Sequence, residues 1–185
     1  MNRDSERIYD EYLVAAAVTG DRATLTRLVC RWQPRLYRHA WRVIGDAERA
    51  KDIVQEAWVD ILRGIGSLED VVAFPAWAYR IVTRRCQRSF QRMSHEIVEF
   101  SADESSLDVP VSEDDAGEIA AEISNVLEAI AILPPLQRAT LALFYIEDLS
   151  VAEIAIATDV PPGTVKTRLM HARRKVRALL EGEAT

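Results

Sequence analysis

The 185-residue sequence has only two cysteines, Cys30 and Cys86, and three histidines, His39, His95 and His171. No Cys-x-x-Cys pair and no Cys/His ligand spacing occurs, which excludes a zinc module or a disulfide framework and leaves both thiols as expected buried side chains in helices. No run of about 18 apolar residues is present. The opening stretch, Met1 to Arg7, leads into no apolar signal region. Membrane insertion is therefore not expected, and the expected location is cytoplasmic. Phosphate-cradling glycine loops are missing, as are convergent Ser/His/Asp or Cys/His sets. The expectation is a protein that is not an enzyme and that uses no cofactor and no metal.

Hydrophobic residues make up 49% of the chain and charged residues 28%, enough apolar matter for one or two packed domains. The formal net charge of −6 would by itself argue against a nucleic-acid partner. Its distribution says otherwise. Residues 1–95 carry 16 Lys+Arg against 12 Asp+Glu, residues 123–185 carry 7 against 7, and residues 96–122 carry 10 acids and no base. The acidity sits in one central stretch without sustained periodicity, which reads as a self-repelling linker over 96–118. Domains are expected at 1–95 and 119–185.

Apolar residues recur at three- and four-residue steps: Leu25, Leu28, Val29, Trp32 and Leu36, then Ile53, Ala57 and Ile61, then Trp77 and Ile81. Strand alternation is scarce, so the fold class is all-α, with four or five helices in the first domain. Asp21 is placed to cap a helix, Gly45-Asp46 marks a break, and Pro34 is expected to begin or kink a helix. In the second domain Pro135 suits a first helical turn, and Ser150-Val-Ala-Glu153 is a capping-box pattern opening a short helix. A turn at Asp159–Gly163 and a final helix from Thr164 to Leu180 complete the order of a helix-turn-helix.

At about 100° per residue, Val165, Leu169, Ala172 and Val176 fall on one side of that last helix. Opposite them lie Thr167, Met170, His171 and Arg174, flanked by Lys166, Arg173 and Arg177 on one edge and Arg168 and Lys175 on the other. There is no acid between Lys166 and Arg177. Such a cationic cylinder with one apolar stripe suits a DNA major groove. Thr167 and His171 would hydrogen-bond bases, Met170 would touch a thymine methyl, and Lys166, Arg168, Arg173 and Arg174 would hold phosphates. An ordinary solvated basic face is the alternative.

Two further segments stand out in the first domain. Arg80, Arg84, Arg85, Arg88 and Arg92 follow one another without an intervening acid, beside Trp77, Tyr79 and Phe90. Arginine among aromatics suits single-stranded nucleic acid, although each ring alone could equally be core. Upstream, Asp52, Gln55, Glu56 and, slightly aside, Asp60 share a polar helix face, suited either to a basic protein partner or simply to solvent.

The run Gly20-Asp21, Pro34-Arg-Leu-Tyr37, Gly45-Asp46, Asp52-Ile-Val-Gln-Glu-Ala57, Trp77-Ala-Tyr-Arg-Ile81, Leu133-Pro-Pro, Leu149-Ser-Val-Ala-Glu-Ile-Ala155 and Pro162-Gly-Thr-Val-Lys-Thr-Arg-Leu169 resembles bacterial sigma factors of the extracytoplasmic-function group. The resemblance implies that residues 1–95 are region 2, binding the β′ clamp helices of core RNA polymerase through Asp52, Gln55 and Glu56. It implies that Tyr79, Arg80, Arg84, Arg85, Arg88 and Arg92 engage and open the promoter −10 element, with the loop near 67–74. Residues 119–185 would be region 4, packing on the β flap and reading the −35 element with Thr164, Lys166, Thr167, Arg168, Met170, His171, Arg173 and Arg174. An anti-sigma factor is an expected partner. Where the family commonly has Arg-Asn and then an Asp in the −10 helix, this chain has Thr83-Arg84 and Arg88, so the resemblance transfers cationic contact with the strand backbone rather than base preference. The competing expectations are a stand-alone helix-turn-helix regulator and a helical adaptor acting on another sigma factor. The acidic linker reads either as a spacer or as a nucleic-acid mimic.

Overall fold

The computed structural model of the chain describes residues 3–96 and 125–181, with side chains from 5 to 92 and from 125 to 181. The linker expected at 96–118 lies outside the described residues except for Glu96, the last residue of a helix. Among the described residues there is no strand.

Among the described residues the first half has four α-helices: α1 (Arg3–Val18), α2 (Arg22–Ile44), α3 (Ala47–Gly64) and α4 (Phe74–Glu96). Asp21 caps α2, its carboxylate accepting from the Ala23 and Thr24 amides. Gly45, at φ 80°, closes α2 in the left-handed region that its missing Cβ permits, and Asp46 at once caps α3. Pro34 neither starts nor breaks a helix. It lies on the exposed side of an uninterrupted α2, where the Cys30 carbonyl that loses its helical donor can be hydrated. That same side exposes Cys30, against the burial expected from its sequence, because the apolar stripe of α2 runs instead through Leu28, Trp32 and Leu36. Cys86 on α4 is buried, and burial pushes its thiol up to about 12.

At the centre, the Trp32 ring meets Phe74 edge-on at 5.0 Å and Tyr79 at 5.8 Å. His39 lies against Tyr79 and is hydrogen-bonded through Nε2 to the Thr83 hydroxyl at 2.9 Å. Thr83 is thus a core residue that fixes α4 against α2.

The second half comprises α5 (125–131 as described), α6 (Pro135–Tyr145), α7 (Val151–Thr158) and α8 (Pro162–Leu180). Pro135 occupies the first turn of α6, and both hydrogen bonds of the Ser150–Glu153 capping box are present. The final helix starts two residues earlier than Thr164, because Pro162 carries the φ that a first helical residue needs.

The two halves pack on one another. Helix α7 lies along α4 and α6 along α2, so that Leu143, Leu149, Ile154 and Ala157 join the same apolar cluster as Leu36, Tyr79 and Val82. Polar groups cross the same seam. Arg138, almost wholly buried on α6, donates to the Ala131 carbonyl at 2.9 Å and to the Arg42 carbonyl of α2 at 3.1 Å.

Candidate nucleic-acid and polymerase interfaces

Helix α8 is oriented by its apolar stripe. Val165 and Ala172 are wholly buried, Leu169 nearly so, and Val176 half-buried. The residues opposite are consequently turned out: Lys166, Thr167, Met170 and Arg174 are all exposed. The Thr167 hydroxyl donates to the Gly163 carbonyl at 3.0 Å, which leaves its oxygen as an acceptor toward a ligand. Met170 is 56% exposed, an apolar tip on a cationic face. Thr164 is half-buried in the first turn, and His171 is half-buried beside Pro134, which caps α6, and Gln137 in its first turn. Arg168 is half-buried, and burial pushes its guanidinium down from the usual value. Arg173 lies 5.4 Å from the ring centroids of both Phe144 and Tyr145, stacked on α6. The −35 candidates thus divide into four on an open face and four partly engaged with their own domain.

Helix α4 splits its candidates more sharply. Tyr79 is not available to a nucleobase: its ring is 0% exposed between Trp32 and His39, and burial raises its hydroxyl pKa well above the ordinary range. The aromatics left at the surface are Phe90, 42% exposed, and Trp77, half-buried. Trp77 packs so closely on the end of α3 that a Cβ on Gly64 would stand 2.9 Å from its ring. Arg85 is turned toward α3, with Nε and Nη2 on Asp60 at 2.9 and 2.6 Å and Nη1 on Glu56. Arg80 and Arg84 point to Asp159, at the end of α7, at 3.0 and 3.4 Å. Arg88 and Arg92 are exposed on the last turns of the helix.

On α3 the exposed residues Asp52, Gln55, Glu56 and Val59 form one stripe, opposite a buried one of Ala50, Ile53, Val54, Ala57 and Ile61. Val59 and, one turn on, Leu62 are each 44% exposed. Neither carries a charge, so the charge pattern of that face does not single them out. A further surface that the sequence does not signal is a groove of about 540 Å³ between α5, α6 and α8, walled by Val126, Ile130, Leu141, Tyr145, Val176 and Leu180, with Arg173 and Arg177 at its rim. Among the described residues no cluster of His, Cys, Asp or Glu could hold a metal ion, and no helix is long and apolar enough to cross a membrane.

Comparison with known proteins adds to this geometry. Residues 28–95 match Sigma-70 region 2 and residues 123–176 match Sigma-70, region 4. The chain is 31% identical to the ECF RNA polymerase sigma factor SigM of Mycobacterium tuberculosis, over 92% of this chain and 84% of that one. It belongs to the extracytoplasmic-function group of the sigma-70 family. SigW of Bacillus subtilis is 28% identical over 87% of this chain and 91% of its own length. Two solved structures share the fold. One is CnrH in complex with the cytosolic domain of CnrY, at a TM-score of 0.61 and 21% identity, covering 95% of this chain and 99% of that one. The other is the sigma factor RpoE in complex with the anti-sigma factor NepR from Bartonella quintana, at 0.69 and 19%, covering 85% and 96%. In this sigma factor the region 2 match takes in most of α2 with α3 and α4, and the region 4 match takes in α5 to α7 and most of α8.

Proposed function

We propose that the chain directs core RNA polymerase to a defined set of promoters, with region 2 in residues 1–95, a linker over 96–118 and region 4 in 119–185. The observation that carries this reading is α8. Its single apolar stripe is buried in the helix-turn-helix, and its outward face is cationic and hydroxyl-bearing over two turns. The Lys166, Thr167, Met170 and Arg174 face enters the major groove at −35, with Arg174 and Lys166 on phosphates and Thr167 and Met170 on base edges. His171, Thr164, Arg168 and Arg173 support that face from its margins.

In region 2 the strand-binding surface is Arg80, Arg84, Arg88 and Arg92, with Phe90 and Trp77 as rings on which an unpaired base can stack. Tyr79 supports them from within. Capturing such bases repays the few kcal/mol that unpairing each one costs. The Asp52, Gln55, Glu56 and Val59 stripe suits the basic clamp helices of β′, with Val59 supplying the apolar contact that charge alone does not. The apolar groove of region 4 suits the β flap. Both surfaces would be covered by an anti-sigma factor. Bond chemistry stays with the polymerase, so the chain is not itself an enzyme, and its place of action is the cytoplasm.

The test is run-off transcription from a linear promoter library by core polymerase with and without the chain. New starts that share upstream motifs are expected only with the chain present. Specific operator binding without polymerase would favour a stand-alone regulator, and an unchanged start pattern would overturn the reading.

A further inference from the structure

Helix α2 is more cationic than α4. Its 23 residues include Arg22, Arg27, Arg31, Arg35, Arg38 and Arg42 and no acid. At about 100° per residue, Arg27, Arg31 and Arg38 fall within about 40° of one another, on a different side from the buried Leu28, Trp32 and Leu36. Arg27 and Arg38 are exposed, and among the described residues neither is in an ion pair. Arg31, between them, is fixed. Asp10, almost wholly buried on α1, accepts from its Nε, from Trp32 Nε1 at 3.2 Å and from Arg35 at 2.9 Å, and the Glu6 carbonyl accepts from its Nη2 at 3.5 Å. Glu147, in the loop after α6, also accepts from Arg35, at 2.7 Å.

Held in this way, the Arg31 guanidinium lies 5.3 Å from the centroid of the Tyr9 ring, and Tyr9 lies 6.5 Å from Tyr12 with the two planes 20° apart. Both rings are open to solvent, Tyr9 at 40% and Tyr12 at 60%, with Ile8 beside them. On a helical projection Ser5, Ile8, Tyr9, Tyr12, Ala15 and Ala16 occupy a sector of about 120° that holds no charged residue of α1. An uncharged face bearing two rings thus adjoins a cationic stripe, and the α4, α3 and α8 surfaces described above include neither. Duplex DNA keeps its base faces inside the stack, so it would meet the arginines and leave the tyrosines unused. An unpaired strand uses both, with a base on the open face of Tyr12 and phosphates on Arg27 and Arg38, about 16 Å apart along α2 at ~1.5 Å per residue. A lipid surface calls for more aliphatic anchors than Ile8, and a site for an acidic protein needs no pair of near-parallel rings with a guanidinium already stacked on one of them.

We propose that α1 and α2 carry a second site for single-stranded DNA, separate from α4, in which Tyr9 and Tyr12 stack an unpaired base and Arg27 and Arg38 take the flanking phosphates. It rests on the promoter reading above, which brings opened DNA to region 2. Arg31 is a positioning residue: Asp10 and the Glu6 carbonyl hold it against Tyr9 before any strand arrives, so ordering the ring platform costs little on binding. Stacking on the rings is indifferent to base identity, since every base has a π-face, and the site therefore adds affinity for an open strand rather than sequence preference.

The test uses the full chain and a dye-labelled oligothymidylate, with anisotropy read at several salt concentrations. Tyr9→Leu with Tyr12→Leu keeps apolar bulk at exposed positions and removes the rings, and the double variant is expected to bind about tenfold more weakly. Tyr9→Phe with Tyr12→Phe keeps the rings and should bind as the parent chain does. Arg27→Gln with Arg38→Gln should lower the slope of log affinity against log salt by about 1.4, two phosphates at ~0.7 each. An oligothymidylate carrying 5-iodouracil should crosslink to Tyr9 or Tyr12 of the parent chain on irradiation, a readout that depends on no variant folding. Crosslinks confined to Trp77 and Phe90 overturn the site, as does undiminished binding by the leucine variant or an equal loss in the phenylalanine one. Retention on phosphatidylglycerol vesicles that is tighter than on the oligonucleotide and survives the leucine substitutions assigns the face to lipid and overturns it too. Run-off transcription by the parent chain with core polymerase checks the promoter reading separately. Starts directed by a chain whose strand binding ignores these residues sink the site alone, whereas ring-dependent binding by a chain that directs no starts sinks the promoter reading and leaves the site standing.

Discussion

Arg85 and Asp60 are joined twice across α3 and α4, Nε at 2.9 Å and Nη2 at 2.6 Å from the same carboxylate oxygen, while Nη1 reaches Glu56. The Asp60 hydrogen bond raises the Arg85 guanidinium further above its ordinary value, against the cost of desolvation. A guanidinium held in this way braces two helices and is spent as a strand ligand.

Substituting Arg85 by Ala is therefore expected to loosen region 2 by about 0.5–1 kcal/mol, since the pair is partly screened by solvent. The salt dependence of single-strand binding should stay as it was. Arg88→Ala and Arg92→Ala should do the reverse, each lowering the slope of log affinity against log salt by about 0.7 with stability intact. Urea titrations and anisotropy at several salt concentrations separate the two patterns, and equal slope losses for all three would show Arg85 on the strand.

On α8 the four open residues divide by chemistry. Arg174→Ala is expected to weaken duplex binding by holoenzyme evenly across sequences and to reduce the salt slope by about 1. Thr167→Ala and Met170→Ala should instead relax preference at single −35 positions, by about 1–3 kcal/mol each for bases they contact. A −35 library selected with each holoenzyme checks this, and identical base profiles for all variants would refute the division.

The clamp stripe makes a third case. Asp52→Arg should weaken core binding by about thirtyfold or more, as a charge reversal at an interface does. Val59→Ser should also weaken it, although no charge changes. Both side chains are exposed, so thermal unfolding of the free chain should not move. Competition against the parent chain for core polymerase is the measurement, and undiminished competition by both variants would place the polymerase elsewhere.

His39 sets a pH dependence. Burial, with Arg42 nearby, pushes its imidazole down to about 3, so it is neutral in the folded chain and protonates near its ordinary value of 6.5 when unfolded. Between those values the unfolded chain binds the extra proton. Its contribution to stability is thus whole above about pH 6.5 and falls with pH by about 1.4 kcal/mol per unit. Urea midpoints should drop between pH 7 and pH 5, and His39→Asn should flatten that drop while lowering stability overall. A drop of equal steepness in the variant would assign it to other groups.

The parts of this molecule legible in its sequence are those governed by local rules. The stripe of Val165, Leu169 and Ala172 follows from helical period, and the Ser150 box, the Asp21 cap and Pro135 follow from the groups a helix end leaves unpaired. What was not legible depends on pairs distant along the chain. Tyr79 and Arg80 are neighbours in the sequence, and only the position of Trp32 and His39 makes one core and the other surface. Arg85 reads as one of five equivalent arginines until α3 brings Asp60 to it. Glu147 and Asp159 lie in turns, where polar residues are expected and no periodicity signals a partner across a seam.

Arg138 gives that seam an asymmetry. One flat, forked cation closes the carbonyl ends of two helices at once, Ala131 finishing α5 and Arg42 in the last turn of α2. The first grip lies within the second half and the second crosses the seam, so the tail of α2 is closed by a residue of the other half. A lysine, with a single ammonium point, could not bridge both ends. The seam between the halves is thereby written in main-chain oxygens as much as in charged side chains.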